Sequence, residues 1–313
     1  MLALVTGGAG FIGSAIARAL VERGDRVRVL DNLLTGSKEA VPRGTDLVQG
    51  DLRDLEDVRA ACRDVEVVFH QGAVRSVPRS VEEPVLVEEC NVLGTLHVVL
   101  AAQEAEVRRV VYASSSSVYG DVADGIDRED LPPDPRSPYA ASKLAGEYYC
   151  RVWTSLRNLS TVSLRYFNVF GPGQPAESRY AAVFPAFCSA LVAGRPPEVH
   201  WDGEQARDFT YIDDAVRANL LAAEADARVD GAVANIAGGR PRTVNEVLRA
   251  VADALGSWVE PVRTPRRPGD VRRTHADISR ARDLLGWEPR SEWQEAVEAT
   301  VRWFKDGHRA GDR

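Results

Sequence analysis

The chain of 313 residues lacks several features that would place it in particular classes of protein. It has no prominent basic tract, and acidic residues outnumber Lys and Arg by 46 to 39, so the charge balance does not favour nucleic acid as a partner. No apolar run stands out as long enough to span a membrane. The start, MLALVTGGAGFIG, has neither a basic segment nor a small-residue cleavage site. We therefore expect a cytoplasmic protein that binds neither nucleic acid nor membrane.

Paired cysteines and metal-ligand spacings are also missing. The four cysteines lie far apart and form no CxxC pair, so free core thiols are expected rather than disulfides or a zinc site. His97, His200 and His275 show no partner spacing for a metal ion, and His70 follows an apolar run as a core histidine would. No metal is predicted.

Alternating strand-like and helix-like segments fill the first half of the chain. Apolar runs such as LALVTG and VEVVFHQGA alternate with amphipathic stretches such as GSAIARALVERG. This alternation predicts an α/β protein with a Rossmann-type doubly wound parallel sheet. Beyond residue 170 the sequence is rich in Gly, Pro and charge. We predict a dinucleotide-binding domain over 1–170, to which segments near 205–240 return, and a smaller, mainly substrate-binding lobe over 171–313.

A glycine motif follows the first predicted strand and opens the first predicted helix. Gly7, Gly10 and Gly13 permit a tight turn and let the backbone approach a pyrophosphate at the helix N-terminus. Asp31 ends the next strand, where a carboxylate accepts hydrogen bonds from the adenosine ribose and repels a 2′-phosphate. Asp51 and Leu52 end the third strand, beside the expected adenine. The pattern favours NAD over NADP.

A second pattern, YxxxK, places Tyr139 and Lys143 one helical turn apart. An ammonium beside a phenol favours the phenolate and lowers the phenol pKa. A phenolate near a sugar hydroxyl is a general base. The fifth predicted strand ends in ASSSSVYG, which raises the possibility of a hydroxyl platform for a substrate.

Through these and further motifs, the chain resembles the extended short-chain dehydrogenase/reductases, and among them the nucleotide-sugar 4-epimerases. The resemblance covers nearly the whole chain. It lies in TGGAGFIG, DNLLTG, GDLRD, SSSSVYG, SPYAASK, RYFNVFGP, DGEQARDFTYIDD, GDVRRTHAD and LGWEP.

The resemblance implies roles for individual residues. The catalytic residues it implies are Ser115, Tyr139 and Lys143, with Ser115 bonding the 4-oxygen of the sugar. Arg75 stands where many epimerases keep a Lys near the NAD phosphates. Together with the glycine motif, the resemblance predicts an NAD site made of Gly7, Gly10, Phe11, Ile12, Gly13, Asp31, Asn32, Asp51, Leu52, Gln71, Gly72, Ala73, Arg75, Tyr139 and Lys143. The substrate-binding residues it predicts are Ser116, Ser117, Asn168, Arg207, Arg267, Asp270 and Thr274.

The same serines indicate which reaction is catalysed. Related dehydratases carry an Asp-Glu pair, and decarboxylating relatives a Glu, where this chain has Ser116 and Ser117, and hydroxyls cannot replace those carboxylates as acid and base. The resemblance therefore implies 4-epimerisation through a transient 4-keto sugar. Thr274 replaces a bulky Tyr of hexose-only enzymes, so UDP-GlcNAc/UDP-GalNAc and UDP-Glc/UDP-Gal are both expected substrates.

Several alternatives stay open. UDP-glucuronate 4-epimerases carry an Arg after the GPxQ turn, where this chain has Gln174 and Pro175, and the nearest Arg is Arg179. A nucleotide-sugar dehydratase or reductase is another alternative, and a non-catalytic NAD-binding protein is disfavoured because Tyr139 and Lys143 are both present. Asn91 serves either as a structural cap or as a ligand contact. The family commonly dimerises through a four-helix bundle, here formed by the helix around Val92–Ala102 and the one starting near Tyr139.

Overall fold

The computed structural model describes residues 1–122, 125–175, 182–266 and 271–311, with side chains up to residue 307. Within these ranges a seven-stranded sheet and three two-stranded sheets are surrounded by helices. The large sheet contains β1 (Leu2–Thr6), β2 (Arg26–Asp31), β3 (Thr45–Gln49), β4 (Val67–His70), β5 (Arg109–Ser115), β6 (Ser160–Tyr166) and β11 (Ala232–Ile236). The small sheets contain β7 (Val169–Phe170), β8 (Glu198–His200), β9 (Ala206–Arg207), β10 (Thr210–Tyr211), β12 (Arg242–Thr243) and β13 (Val262–Thr264).

The helices lie between and around these strands. They are α1 (Phe11–Glu22), α2 (Leu55–Cys62), α3 (Val77–Glu82), α4 (Pro84–Val87), α5 (Gly94–Glu104), α6 (Pro138–Arg157), α7 (Val183–Val192), α8 (Ile212–Glu224), α9 (Val244–Leu255), α10 (Ser279–Leu285) and α11 (Trp293–Gly311).

The large sheet has the strand order β11-β6-β5-β4-β1-β2-β3. Every neighbouring pair in it is parallel. The order reverses between β1 and β4, so a crevice opens there at the carboxyl ends of the strands, where open α/β sheets bind ligands. The predicted Rossmann-type fold is confirmed.

Alternate residues of the central strands β1, β4 and β5 enter two different cores, which is why these strands read as nearly continuous apolar runs. Ala3 and Val5 pack with Ile16 of α1 and with α8 on one face. Leu4 packs on the other face with α2, α5 and α6. Covering helices on both faces leave the strand ends as the accessible edge of the sheet.

A third core lies in the C-terminal half and is aromatic at its centre. Phe170, Phe184, Phe209 and Trp293 pack with α7, α9 and α11, and the rings of Phe170 and Phe184 stack at 4.1 Å. Trp287 is fully buried, whereas Trp303 is 41% exposed. Trp303 lies on α11, one residue before the buried Phe304, so it points away from the core.

The stretch Pro84–Glu104 corrects the expectation that no apolar segment is long enough to span a membrane. By length and composition it passes that test, with a mean hydropathy of 1.5. A central helix of a globular core passes the same test, and half of this window is buried. The stretch is α4, then a π-helix over Glu88–Leu93, then α5, and it packs against α2 and α6.

All four cysteines are buried free thiols, as the sequence predicts.

Candidate active site

The glycine motif forms a tight crossing between β1 and α1. Gly7 has φ +67°, a conformation that favours glycine. A Cβ on Gly13 would lie 2.2 Å from the Gly7 carbonyl oxygen, so only glycine lets α1 start this close to the loop. The Gly10 amide donates to that same oxygen at 3.1 Å. Phe11 and Ile12 follow as the first residues of α1. The exposed amides of such a helix start suit a pyrophosphate.

The carboxylates predicted for the adenosine end lie together at the ends of β2 and β3. Asp31 accepts hydrogen bonds from the Ala9 and Leu33 amides at 2.9 and 2.8 Å, which fixes the carboxylate beside the glycine loop. Asn32 donates to Asp51 at 2.9 Å. The ribose and adenine roles of these residues stay predictions.

Arg53 adds a cation at that end which the sequence analysis missed. Its guanidinium bonds Asp51 at 2.7 Å and holds the pKa of that carboxyl well below its usual range. The sequence signal was present in the GDLRD motif, where Arg53 follows Asp51 by two residues.

The segment after β4 runs beside the glycine loop. Gly72 lies so close to Gly7 that a Cβ on Gly7 would be 2.6 Å from the Gly72 backbone, and Leu52 packs against Gly72. Gln71 donates to Tyr166 and Asn219 at 3.2 and 3.1 Å. Ala73, partly buried, continues the segment.

The serines of the SSSS segment make two kinds of contact. The buried Ser114 donates to the Glu147 carboxylate. Ser115 ends β5 and caps a 3₁₀ helix over Ser116–Tyr119, since its Oγ accepts a hydrogen bond from the Ser117 amide at 3.2 Å. The Ser117 hydroxyl also donates to Ser115 Oγ, at 3.0 Å. The predicted hydroxyl platform thus has an internal order, with Ser115 at its centre.

Tyr139 reaches that platform from the first turn of α6. Ser137 caps the helix by accepting from the Ala140 amide at 3.1 Å, with Pro138 as its first residue. The Ser115 hydroxyl lies close enough to Tyr139 to act on the pKa of its phenol. Lys143, one turn later and 4% exposed, donates to the Ala113 carbonyl at 2.8 Å. The three predicted catalytic residues therefore meet at the carboxyl end of β5.

The electrostatics of this group differ from the expectation of a lowered phenol pKa. Burial raises the pKa of Tyr139, and the Ser115 hydroxyl and the positive charge of Arg75 oppose that rise without cancelling it. Burial also lowers the pKa of Lys143, to about 8. Arg75 thus acts on the phenol, in addition to the cofactor role predicted for it.

Two contacts fix α6 against the sheet, and sequence reasoning missed both. A Cβ on Gly146 would lie 2.2 Å from Tyr112 Oη, so glycine permits the close approach of α6 to β5. Glu147 and Arg165 form a buried ion pair at 2.7 and 2.8 Å. Glu147 lies four residues after Lys143, on the same helical face, which is the signal that could have revealed it.

A buried chain of hydrogen bonds links β1 to the catalytic helix. His70 bonds Thr6 at 2.7 Å and Thr95 at 3.0 Å, and burial lowers the pKa of His70 to about 3, so the ring is neutral. This confirms a hydrogen-bonded core histidine.

Asn91 continues the chain of hydrogen bonds towards α6. It bonds both backbone groups of Val74 and donates to Ser142 at 2.9 Å. Ser142 in turn donates to the Tyr139 carbonyl at 2.8 Å. Asn91 is thus a buried structural contact in the π-helix.

Three of the predicted substrate residues come together around β9. Asn168, at φ +32°, donates to the Asp208 carbonyl at 2.8 Å. Arg207 lies on β9 beside Asp208. The Thr274 amide donates to the Ala206 carbonyl at 3.1 Å, and Thr274 Oγ1 accepts from the Asp208 amide at 3.4 Å. Arg267 and Asp270 lie outside the described residues.

Asp208 is the residue that joins these segments, and the sequence analysis did not single it out. Its carboxylate accepts from the Gly239 and Ala276 amides at 3.0 and 3.2 Å. Burial raises the pKa of Asp208 to about 7. It ties β9 to the segments that carry Thr274 and the end of β11.

The residues present fit an NAD molecule. The glycine crossing would hold its pyrophosphate, Asp31 its adenosine ribose, and the Ser115–Tyr139–Lys143 group lies on the same edge of the sheet, where the nicotinamide would reach. Such a site belongs to a dinucleotide-dependent enzyme acting on a hydroxyl group.

Comparison with known proteins identifies the family. Residues 3–237 match the model of the NAD dependent epimerase/dehydratase family. UDP-glucose 4-epimerase from Mycolicibacterium smegmatis is 38% identical over 98% of this chain and 99% of its own. Among solved structures, Thermus thermophilus UDP-glucose 4-epimerase in complex with NAD superposes with a TM-score of 0.91 at 40% identity, covering 97% of this chain and 99% of that one. UDP-N-acetylglucosamine 4-epimerase from Methanobrevibacter ruminantium, in complex with UDP-N-acetylmuramic acid, gives 0.93 at 37% identity, with 97% and 98% covered.

The chain belongs to the NAD dependent epimerase/dehydratase family. This confirms the predicted membership of the nucleotide-sugar epimerases among the extended short-chain dehydrogenase/reductases. It is an NAD-dependent enzyme.

Proposed function

We propose that this chain is a 4-epimerase of UDP-sugars that acts on UDP-GlcNAc/UDP-GalNAc and on UDP-Glc/UDP-Gal. The observation that carries the proposal is the grouping of Ser115, Tyr139 and Lys143 at the carboxyl end of β5, where Ser115 acts on the Tyr139 phenol and Lys143 donates to the Ala113 carbonyl. The named relatives act on UDP-glucose and UDP-N-acetylglucosamine, which supports the same nucleotide and the same carbon here.

The chain's own residues supply the proton chemistry. Tyr139 Oη takes the proton of the sugar 4-hydroxyl, Ser115 donates a hydrogen bond, and Lys143 and Arg75 supply positive charge. Bound NAD supplies the acceptor, and later the donor, of the hydride from C4. The 4-keto sugar then turns about its link to the diphosphate and presents its other face. Tyr139 returns the proton, and the 4-hydroxyl has inverted.

Elimination is disfavoured by the groups around the sugar. Ser116 and Ser117 stand where dehydratases carry an acid and a base. The neighbouring carboxylate of Glu147 is held by Arg165 and Ser114. A carboxylate in a buried ion pair is poorly placed to act as the acid or base of an elimination.

Thr274 supports the N-acetylhexosamine preference. Its hydroxyl bonds the backbone beside Arg207, the residue predicted to hold the diphosphate, and its small side chain leaves room for a 2-acetamido group. UDP-glucuronate is the second candidate. Gln174, in the turn where uronate enzymes place an Arg, is buried and donates to the Val169 carbonyl, which disfavours a uronate. Arg179 lies outside the described residues.

Two architectural proposals accompany this function. The first is that the NAD-binding domain spans 1–170 and includes segments near 205–240, while 171–313 is mainly the substrate-binding lobe. Two observations support this division. Strand β11 pairs with β6 of the large sheet, whereas α7, α9 and α11 share a separate core. We also propose a homodimer built on the helix around Val92–Ala102 and on α6. The support is that apolar side chains are exposed on these helices and on the neighbouring α3 and α4, namely Val77, Val81, Val85, Leu93, Tyr148, Val152 and Leu156.

The test is an NMR assay of the purified protein with UDP-GlcNAc, UDP-Glc and UDP-glucuronate in parallel, without added reductant. We expect the galacto-configured product from the first two sugars. Conversion of the uronate alone would make the second candidate correct, and a 4-keto or dehydrated product would refute epimerisation.

A further inference from the structure

The hydrogen bonds that Ser115 already accepts leave its hydroxyl able only to donate. A hydroxyl oxygen has two acceptor lone pairs and one proton. Ser115 Oγ accepts from the Ser117 amide at 3.2 Å and from the Ser117 hydroxyl at 3.0 Å, so one residue occupies both acceptor positions. Towards any further partner, Tyr139 and the sugar included, the Ser115 hydroxyl can therefore only donate.

We propose that Ser117 is a positioning residue that commits the Ser115 hydroxyl to donating, first to Tyr139 and then to the 4-oxygen of the sugar. The inference deepens the proposed function and rests on it. It changes the role of Ser117 from part of the sugar pocket to the residue that orients the catalytic serine.

Because the Ser115 hydroxyl can only donate, it determines the route of the proton that leaves the sugar 4-hydroxyl. A relay through Ser115 would need a free lone pair to take the proton from O4, and Ser117 occupies both. The O4–H bond therefore breaks with direct transfer of its proton to the Tyr139 oxygen. Its electron pair becomes the second bond of the C4 carbonyl, and the hydride leaves C4 with its own pair for NAD⁺. Ser115 keeps its proton and stabilises the charge on the two oxygens.

The backbone around Ser117 is fixed, so the arrangement is built into the fold. Val118, the next residue, is fully buried, and its carbonyl accepts from the Asp134 amide at 2.9 Å. Tyr119 donates to Asn235 at 2.7 Å, and the Arg165 guanidinium lies 4.6 Å from its ring centre. These contacts hold the 3₁₀ turn in the position in which Ser117 reaches Ser115.

The test titrates Tyr139 directly, without any sugar. The phenolate absorbance near 295 nm is followed against pH for the full chain, and the curve of the same protein carrying Tyr139→Phe is subtracted. This is repeated in the Ser117→Ala and Ser117→Thr backgrounds. Ser117→Ala is expected to raise the Tyr139 pKa, because Ser115 is no longer restricted to donating, and Ser117→Thr is expected to keep it.

Steady-state kinetics give the second measurement. Loss of one orienting hydrogen bond is expected to lower kcat roughly 5-fold in Ser117→Ala with KM nearly unchanged, and Ser117→Thr should restore kcat. Ser116→Ala, which removes only a hydroxyl of the sugar pocket, is the contrasting variant and should act on KM.

Two results would overturn the inference. One is an unchanged Tyr139 titration in Ser117→Ala together with a raised KM, which would make Ser117 a sugar contact only. The other is a Thr variant that behaves like the Ala variant. Because the titration needs no substrate, it decides the role of Ser117 even if the wild-type protein epimerises none of the sugars tested, an outcome that would refute only the proposed function.

Discussion

At the scale of single residues, the site places a phenol where burial opposes its ionisation. Burial raises the Tyr139 pKa, and Ser115 and Arg75 act against that rise. Groups that favour the phenolate therefore help Tyr139 to act as the base. The positive charges around the phenol are thus part of the catalytic arrangement.

Tyr139→Phe removes the base and keeps the ring. We expect kcat to fall by about 10²- to 10⁴-fold, the usual contribution of a general base, with the thermal unfolding midpoint nearly unchanged. The matched control is Tyr149→Phe on the same helix, whose ring packs edge-on against Trp153. Equal activity of the two variants would show that the phenol of Tyr139 is not the base.

The buried His70 should make the free energy of unfolding depend on pH in a known direction. Its pKa is about 3 in the folded protein and about 6.5 in an unfolded chain, so the stability it contributes is present above pH 6.5 and is lost as the pH falls towards 3. We compare the free energy of unfolding of the wild-type protein with that of His70→Asn. The difference between the two should become smaller by about 2 kcal/mol when the pH is lowered from 6.5 to 5.

Urea unfolding of both proteins at the two pH values measures this difference. Asp208, whose pKa is raised to about 7, titrates in both proteins and cancels. A difference that stays constant with pH would show that His70 is charged or exposed in the folded state.

At the scale of secondary-structure elements, α6 positions the chemistry because it is held at several points along its length. Asn91 and Ser142 fix its first turns, and the Glu147–Arg165 ion pair ties its middle to β6. The pair also receives the Ser114 hydroxyl from β5. The strands β5 and β6 and the helix α6 are thus joined by one buried ion pair.

Breaking this pair should be costly only when one partner remains. Glu147→Ala leaves the Arg165 guanidinium buried without its partner, and we expect a loss of about 3–5 kcal/mol of unfolding free energy. Replacing both, as Glu147→Leu with Arg165→Met, should cost much less than the sum of the two single changes. Denaturant unfolding of the single and double variants measures this. Additive losses would show that the two side chains do not interact.

Much of this organisation could be predicted from short-range patterns. The strands, the glycine crossing and the YxxxK turn depend on residues close in sequence, and the structure places them as expected. The Glu147–Arg165 pair joins a helix to a strand across a loop, and the acceptor pattern of Ser115 depends on a 3₁₀ turn that SSSS does not specify. The direction of the Tyr139 pKa depends on burial, which is a property of the packed fold, and a one-turn spacing gives no measure of it.

At the scale of the whole molecule, one side of α6 and its neighbours is apolar and exposed. Leu156 is 74% exposed, Val85 68% and Val81 65%. Exposed apolar clusters of this kind on adjacent helices are typical of protein interfaces, and they lie on the opposite side of α6 from its contacts with the sheet. The proposed dimer would cover them.

Leu156→Glu places a charge in this surface and is expected to convert the dimer to a monomer, because burying an unpaired carboxylate is costly. Sedimentation velocity over a range of concentrations measures the mass. Val262→Glu, at a half-exposed apolar residue of β13 in the other lobe, is the matched control and should not change it. A wild-type protein that sediments as a monomer at all concentrations would refute the proposed dimer.

In the proposed reaction, the hydrogen on C4 leaves and returns as hydride within one active site. The most direct measurement is ¹H NMR of UDP-GlcNAc or UDP-Glc incubated with the protein in D₂O without added reductant. We expect the galacto-configured product with C4 and its neighbouring carbons still fully protonated, and no product from Tyr139→Phe. Deuterium at C4 or C5 of the product would show exchange with solvent, and would contradict epimerisation by hydride transfer at C4.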